Sequence, residues 1–355
     1  MKKTNQQEGH SSKNIDLSTF KCTTRDEKDN LCLPKRGHVE SYFFRLNSPD
    51  SERALWIKAT AFVPAGRPEA SVAEAWVISF LRGSGPTAAK NTISLEDAEF
   101  PKEGTADLRI DLGELSIEEG KLTGRWETDH HSISCDLKME GYGDPIDPME
   151  LFFHKSLYKL PFPKTKLVTP APMLTFTGEY EVDGETLEVN GWRGMGGHNW
   201  GTEHTPVYSW CQINSWENED EAIIFEGVTA RARIGQRLSP KMTILTVRAG
   251  DETISFNGPI RMFLNKGLIG PMKWSFSAGN ETTGLTGEVI ASPKESAGLY
   301  YRNPDGSVIH CLNSKLAHAR IELRRPGKPE KILSSRQAAL ELGSPNEYHG
   351  VKMLV

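Results

Sequence analysis

Residues 191–216 read Gly191-Trp192-Arg193-Gly194-Met195-Gly196-Gly197-His198-Asn199-Trp200-Gly201-Thr202-Glu203-His204-Thr205-Pro206-Val207-Tyr208-Ser209-Trp210-Cys211-Gln212-Ile213-Asn214-Ser215-Trp216. The first half is rich in glycine and reads as a turn that delivers His198 and Trp200. The second half alternates. Successive side chains of a strand point to opposite faces, so Tyr208, Trp210, Gln212, Asn214 and Trp216 share one face. Val207, Ser209, Cys211, Ile213 and Ser215 share the other. A face of aromatic rings and amides suits a cavity for a large, mostly apolar molecule better than an oily core.

Periods of two recur on both sides of this stretch. Ile133, Cys135, Leu137 and Met139 alternate with Ser134, Asp136, Lys138 and Glu140, the pattern of a half-buried strand. Val182-Asp183-Gly184-Glu185 places an Asp-Gly pair between alternating runs and predicts a hairpin. Helical spacing is scarce, its best candidate being Ser335–Gly343, with a serine start and a glycine stop. The chain is mainly β.

Its 355 residues suffice for two domains. The net charge of −5 includes no basic stripe, which argues against a nucleic-acid partner. No apolar run approaches the roughly 18 residues of a membrane span. Met1-Lys2-Lys3-Thr4-Asn5-Gln6-Gln7 lacks the apolar core of a signal peptide and reads as a mobile polar tail, with a cytoplasmic location expected. Five cysteines, none at C-x-x-C spacing, point to reduced thiols and to no metal site. No G-x-S-x-G elbow or phosphate loop is present, so no cofactor is expected.

Prolines cluster at Pro161, Pro163, Pro170 and Pro172 and suggest a stiff connector over 161–173. The flanking segments look alike. Ala54–Thr60 matches Tyr208–Asn214, Glu74–Ile78 matches Glu221–Phe225, and Gly124-Arg125-Trp126 matches Met272-Lys273-Trp274. The expected layout is a tail over 1–35, a β domain over 36–160, the connector, and a related β domain over 174–345. Antiparallel sheets of this size hide their edges by closing, and a small barrel can hold one ligand.

Gly197-His198-Asn199-Trp200-Gly201, followed by Tyr208-Ser209-Trp210, resembles the D-H-x-W-G…W-x-W stretch of the lipocalin-like superfamily. That group includes carotenoid 1,2-hydratases, AttH-like proteins, tocopherol cyclases and fungal Diels–Alderases. Glu40–Phe44, Ala54-Leu55-Trp56, Gly298–Tyr301 and Asn303–Gly306 support the likeness, which covers roughly 36–345. It implies two antiparallel lipocalin-like β-barrel domains in tandem. Its members hydrate, cyclise or simply bind apolar molecules. This chain carries Gly197 where the hydratase pattern has aspartate, which removes that pattern's natural proton donor to an alkene.

Two titratable groups are catalytic candidates. His198 is a general acid or base, or else a histidine that pins the turn. Counting back from the loop after Trp216 sets Gln212 opposite Glu226 and Trp210 opposite Val228. Glu226 would then face the aromatic-amide lining, its pKa raised by desolvation, whereas a register slip of one residue would turn it out to solvent, the commoner state of a glutamate. Trp200, Tyr208, Trp210, Gln212, Asn214, Trp216, Trp76 and Glu74 are the candidate ligand contacts. Lys58 shares a face with Glu74 and reads as its rim partner, while Arg45 is either an inward cation or an edge charge that discourages strand pairing. The expected function is binding of an isoprenoid, polyketide or lipid-like molecule, with cofactor-free cyclisation or proton-triggered addition. The alternative is a carrier without chemistry.

Overall fold

The computed structural model describes residues 24–102, 108–118, 120–141, 149–219, 221–346 and 349–355. It is mainly β, with two large antiparallel sheets that follow one another along the chain. The first holds β1 (His38–Asn47), β2 (Arg53–Val63), β3 (Val72–Leu81), β4 (Thr87–Ser94), β5 (Ile110–Asp111), β6 (Leu115–Glu118), β7 (Lys121–Glu127), β8 (Ser132–Gly141), β9 (Met149–Glu150), β10 (Thr165–Val182) and β11 (Glu185–Gly201). Their order is β4-β3-β2-β1-β11-β10-β8-β7-β6-β5, with β9 added to β10.

The second sheet begins with β12 (Val207–Ile213) and β13 (Ile223–Arg231). A separate small hairpin, β14 (Arg233–Ile234) and β15 (Arg237–Leu238), follows. The sheet then takes up β16 (Met242–Ala249), β17 (Glu252–Phe256), β18 (Lys266–Ile269), β19 (Lys273–Gly279), β20 (Gly284–Ile290), β21 (Ala297–Arg302), β22 (Val308–Arg324) and β23 (Lys331–Ser344). Its order is β17-β16-β13-β12-β23-β22-β20-β19-β18, with β21 on β22.

Each sheet pairs its first strand with its last, β1 with β11 and β12 with β23. Each also curls around a core of its own. Leu55, Ile57, Val77, Leu122 and Leu137 fill the first, and Cys211, Phe225, Leu245, Leu312 and Leu340 the second. A tryptophan sits fully buried in each: Trp126 donates to the Ala75 carbonyl at 3.1 Å and Trp274 to Thr229 Oγ1 at 2.9 Å. Buried indoles need such partners. Trp126 on β7 and Trp274 on β19 hold corresponding places in the two strand orders. The expected match of Ala54–Thr60 with Tyr208–Asn214 is one strand out, because β12 holds the place of β1 rather than of β2.

The hairpin at Asp183-Gly184 forms with both residues at positive φ (53° and 86°) and Val182 opposite Glu185. Ile133, Cys135, Leu137 and Met139 turn inward along β8. Four expectations are corrected. From Thr165 onward the proline segment is strand β10, and its register shifts fall at Val168/Ala171 and Ala171/Leu174, around Pro170 and Pro172. Bulges of this kind absorb prolines that a regular ladder rejects. The chain thus leaves the first sheet between Gly201 and Val207, well beyond the expected connector.

The glycine-rich stretch is not a turn but the extended half of β11. A Cβ at Gly194 would lie 2.0 Å from the Arg45 carbonyl oxygen, and one at Gly197 would lie 2.2 Å from the Phe43 ring. Here glycine makes room for neighbours on β1. Ser335–Gly343 is strand, paired with β22 and β12. Ala338 and Leu340 turn into the second core while Ala339 faces the other sheet, a period of two that adjacent alanines hide. Of the tail assigned to 1–35, residues 1–23 lie outside the described residues. Thr24 is buried and donates to Glu40, and Arg25 donates to the Ala98 carbonyl at 2.6 Å.

Candidate functional site

Strand β12 decides where the site lies. Its ladder with β13 sets Gln212 opposite Glu226 and Trp210 opposite Val228, the register expected from loop counting. Cys211 and Ile213 enter the core of the second sheet. Tyr208, Trp210 and Gln212 therefore point the other way, out of that core and toward the first sheet. The aromatic-amide face lines a seam between two sheets, not the inside of one barrel. Phe43, Trp56, Trp76, Phe80 and Met195 meet Trp210, Leu299, Tyr301, Ile309 and Leu316 there in a third apolar cluster.

At one end the seam is closed by amides. Arg45, only 1% exposed, donates to Asn47 Oδ1 at 2.6 Å, to Asn214 Oδ1 at 2.8 Å and to Gln212 Oε1. Gln212 and Asn214 in turn each donate to the Pro172 carbonyl at 3.0 Å, and Asn214 also to Gly194 O at 2.7 Å. Burial draws the Arg45 pKa down to about 10. Gln212 and Asn214, expected as ligand contacts, thus fasten the sheets and do not line the cavity.

Glu226 is fully buried beside this latch. Its Oε1 accepts from Trp210 Nε1 at 2.9 Å and from Thr169 Oγ1 at 2.8 Å, whereas Oε2 has no partner among the described residues. Desolvation pushes its pKa up to about 7, against the opposing pull of those two hydrogen bonds. Trp210 stands at the cavity wall; Glu226 does not.

The cavity itself, about 370 Å³, opens between the sheets. Phe43, Trp56, Leu167 and Phe152 line it from the first sheet and its β9–β10 connection, and Trp210, Val228, Met242 and Ile244 from the second. Lys58, His204, Tyr208, Tyr301 and Glu341 supply its polar groups. A few convergent polar groups in an otherwise apolar hollow of this size are the usual make-up of a small-molecule site. A second depression of about 460 Å³ lies over β18–β20 and carries mainly hydroxyl and charged groups, among them Ser275, Thr286, Glu288 and Arg320.

His204 shows how the polar end is set. Its ring stacks on Tyr301 at 5.1 Å, and its Nδ1 lies 3.0 Å from Asn303 Oδ1. Only a protonated Nδ1 can use that amide oxygen, so the neutral ring keeps its lone pair on Nε2. Desolvation, reinforced by nearby Lys58, pulls the His204 pKa down to about 3. Glu341 accepts from Lys315 Nζ at 3.1 Å and from Asn313 Nδ2 at 3.0 Å. Lys58 does not pair with Glu74, as expected, but stands over the Tyr301 ring at 4.0 Å. Burial lowers its pKa to about 8, moderated by the negative charges of Glu341 and Glu74.

The remaining candidates fall elsewhere. His198 lies on the inner side of β11, with Nε2 2.9 Å from Glu40 Oε1 and its ring between Tyr42 (4.2 Å) and Trp200 (4.6 Å). Burial alone would raise the Glu40 pKa, but hydrogen bonds with His198 and His38 outweigh it and hold the group well below the usual carboxylate range. Trp200 also stacks on Tyr158 at 5.9 Å. Neither His198 nor Trp200 lines the cavity, and His198 and Glu226 are not brought together. Glu74 accepts from Lys90 at 3.3 Å and Arg302 at 2.8 Å. It and Trp76 line a recess of about 10 Å³ that shares Lys58, His204 and Tyr301 with the main cavity. Trp216 lies past the end of β12, donates to Ile223 O at 2.8 Å and rests against the second core.

Tyr301, Glu341 and the cavity-facing role of Lys58 had no signal in the sequence. Glu341 stands opposite Trp210 on the β12–β23 ladder and Tyr301 follows through β22, pairings between strands far apart in sequence, whereas Lys58 of β2 reaches them only by the folding of one sheet onto the other.

No protein-family model and no curated protein matches the chain. Among solved structures, a candidate AttH protein from Nitrosomonas europaea is similar at 12% identity and a TM-score of 0.48, over 88% of this chain and 93% of that one. A porin-like protein from Bacteroides uniformis shows 9% identity and a TM-score of 0.12, over 85% and 95% of the two chains. The architecture rests on the two sheets themselves. Among the described residues, no helix is long and apolar enough to cross a membrane.

Proposed function

We propose that the protein binds a largely apolar small molecule in the cavity between its two sheets. The observation that carries this reading is the cavity wall. Aromatic and aliphatic side chains from both sheets surround about 370 Å³, with polar groups gathered around Lys58, His204 and Glu341. The proton-triggered addition implied by the family resemblance needs a proton donor against the ligand. Glu226 lies behind Trp210 and His198 lies on the far side of β11, so neither supplies one by contact. The reading is therefore binding, by a carrier or by an enzyme whose acid and base are the cavity's own groups.

The direct test is solvent extraction of freshly purified protein, with mass spectrometry of the extract, beside a titration with a fluorescent apolar probe. A bound apolar species, or saturable probe binding that Val228→Trp abolishes, is the expected result. An empty extract with no saturable binding would overturn the reading.

A further inference from the structure

Five cationic side chains are buried among the described residues: Arg45, Lys58, Lys166, Lys315 and Arg325. Four have an oxygen to donate to. Arg45 uses the amides of Asn47, Gln212 and Asn214; Lys166 uses the Pro163 carbonyl. Lys315 meets Glu341 at 3.1 Å, and Arg325 meets Glu221 at 3.2 Å. Lys58, 3% exposed, makes no hydrogen bond and no ion pair among these residues. Its Nζ instead stands over three rings, 4.0 Å from the centroid of Tyr301, 5.4 Å from Trp76 and 5.9 Å from Trp56.

An ammonium taken out of water needs more than ring faces, which contribute only about 0.5–2 kcal/mol. A buried charge ordinarily has a counter-charge with hydrogen bonds. Lys58 lines the cavity, so the free side of its ammonium belongs to whatever fills that space. Glu341 lines the same cavity, but it is already engaged by Lys315 and Asn313.

We propose that the cavity takes an amphiphile with a carboxylate head and an apolar body, and that Lys58 holds the head. This rests on the reading of the cavity as a ligand site and names the ligand's class. The apolar body lies along Phe43, Leu167, Trp210 and Ile244, and the carboxylate completes the ion pair that Lys58 lacks. A charge-assisted hydrogen bond in a dry site is short and strong, so an acid is favoured over its alcohol.

The test compares straight-chain fatty acids, octanoate to hexadecanoate, with the alcohols of the same lengths. Quenching of tryptophan fluorescence reads binding in wild-type protein and in Lys58→Met. The expected result is that the best acid binds wild type about tenfold more tightly than its alcohol. Lys58→Met then loses that preference and keeps the alcohol affinity. A second measurement needs no variant. The preference fades in wild-type protein as the pH rises past about 8, where Lys58 gives up its proton. The groups facing the ammonium are Glu341, Glu74, Cys311, Lys90, His204 and Tyr301. Burial keeps Cys311 and Tyr301 protonated in this range, and His204 is neutral throughout it. Equal binding of acid and alcohol, or a preference that survives in Lys58→Met, overturns the role of Lys58 but not the apolar site. Failure of every acid and every alcohol to bind overturns both.

Discussion

Trp210 and Glu226 are joined at 2.9 Å, indole N–H to carboxylate oxygen, on neighbouring strands of the second sheet. The ring that walls the cavity is thus held by a carboxyl group that never reaches it. Because Glu226 is also held by Thr169 of the first sheet, one buried acid ties cavity wall and inter-sheet packing together.

This acid sets a pH dependence. Burial raises the Glu226 pKa from 4.5 to about 7, so the folded protein holds the proton more tightly than the unfolded chain. Its stabilising contribution is complete below about pH 4.5 and falls away as the pH rises to about 7, by up to about 3 kcal/mol. His204, lowered to about 3, acts in the opposite sense, losing stability as the pH falls from 6.5. Urea denaturation of wild type and Glu226→Gln at pH 5 and pH 8 isolates the first effect. The variant is expected to gain on wild type at pH 8; a constant difference between the two would refute the assignment.

Trp210→Phe keeps the ring and removes its N–H. With one of the two opposing hydrogen bonds gone, the Glu226 pKa climbs further. The fall in stability then begins at the same pH and ends at a higher one. A stability-against-pH profile identical to wild type would show that the indole is not what restrains the acid.

Arg45→Met should lower the thermal midpoint. The substitution leaves Gln212 Oε1 and Asn214 Oδ1 buried without the guanidinium, at a cost of about 2–4 kcal/mol. Arg45→Lys is not expected to restore it, since an ammonium cannot reproduce the planar fork. Differential scanning calorimetry reads both, and rescue by lysine would mean that charge alone matters.

Gly194→Ala is predicted to cost about 3 kcal/mol. Its Cβ would lie 2.0 Å from the Arg45 carbonyl and 2.6 Å from the Phe176 ring, so β1 and β11 must separate. The urea midpoint should fall with the slope unchanged. A wild-type midpoint would show that glycine is not required there.

Stripping bound apolar molecules from the protein should lower its melting temperature, and adding them back should restore it. Saturation at a hundredfold above the dissociation constant is worth about 2.7 kcal/mol by mass action. The same melting curve before and after stripping would mean that nothing had been bound.

The sequence made some of this legible for definite reasons. Alternation exposed β8 and β12, the Asp-Gly pair exposed the hairpin, and loop counting set Gln212 against Glu226. Those signals are local. Others misled because two causes share one appearance. Glycines that clear space for Phe43 and Phe176 look like glycines that turn a chain. Prolines lodged in the bulges of β10 look like those of a linker. The site was legible only in part: Tyr208 and Trp210 line the cavity, whereas Tyr301 and Glu341 join them through ladders between strands far apart in sequence and Lys58 through the packing of one sheet on the other, neither of which a single segment encodes.

That the hollow lies at the seam has a consequence for how such a protein changes over generations. Either sheet alone keeps its own interior, centred on Trp126 or Trp274, whereas the wall of the apolar hollow draws on both. Substitutions at Phe43, Val228 or Ile244 can reshape the pocket without disturbing the residues that keep each half folded. A two-sheet build of this kind separates the residues that confer stability from those that line the hollow, and so gives the hollow's shape room to drift where most proteins must trade one against the other.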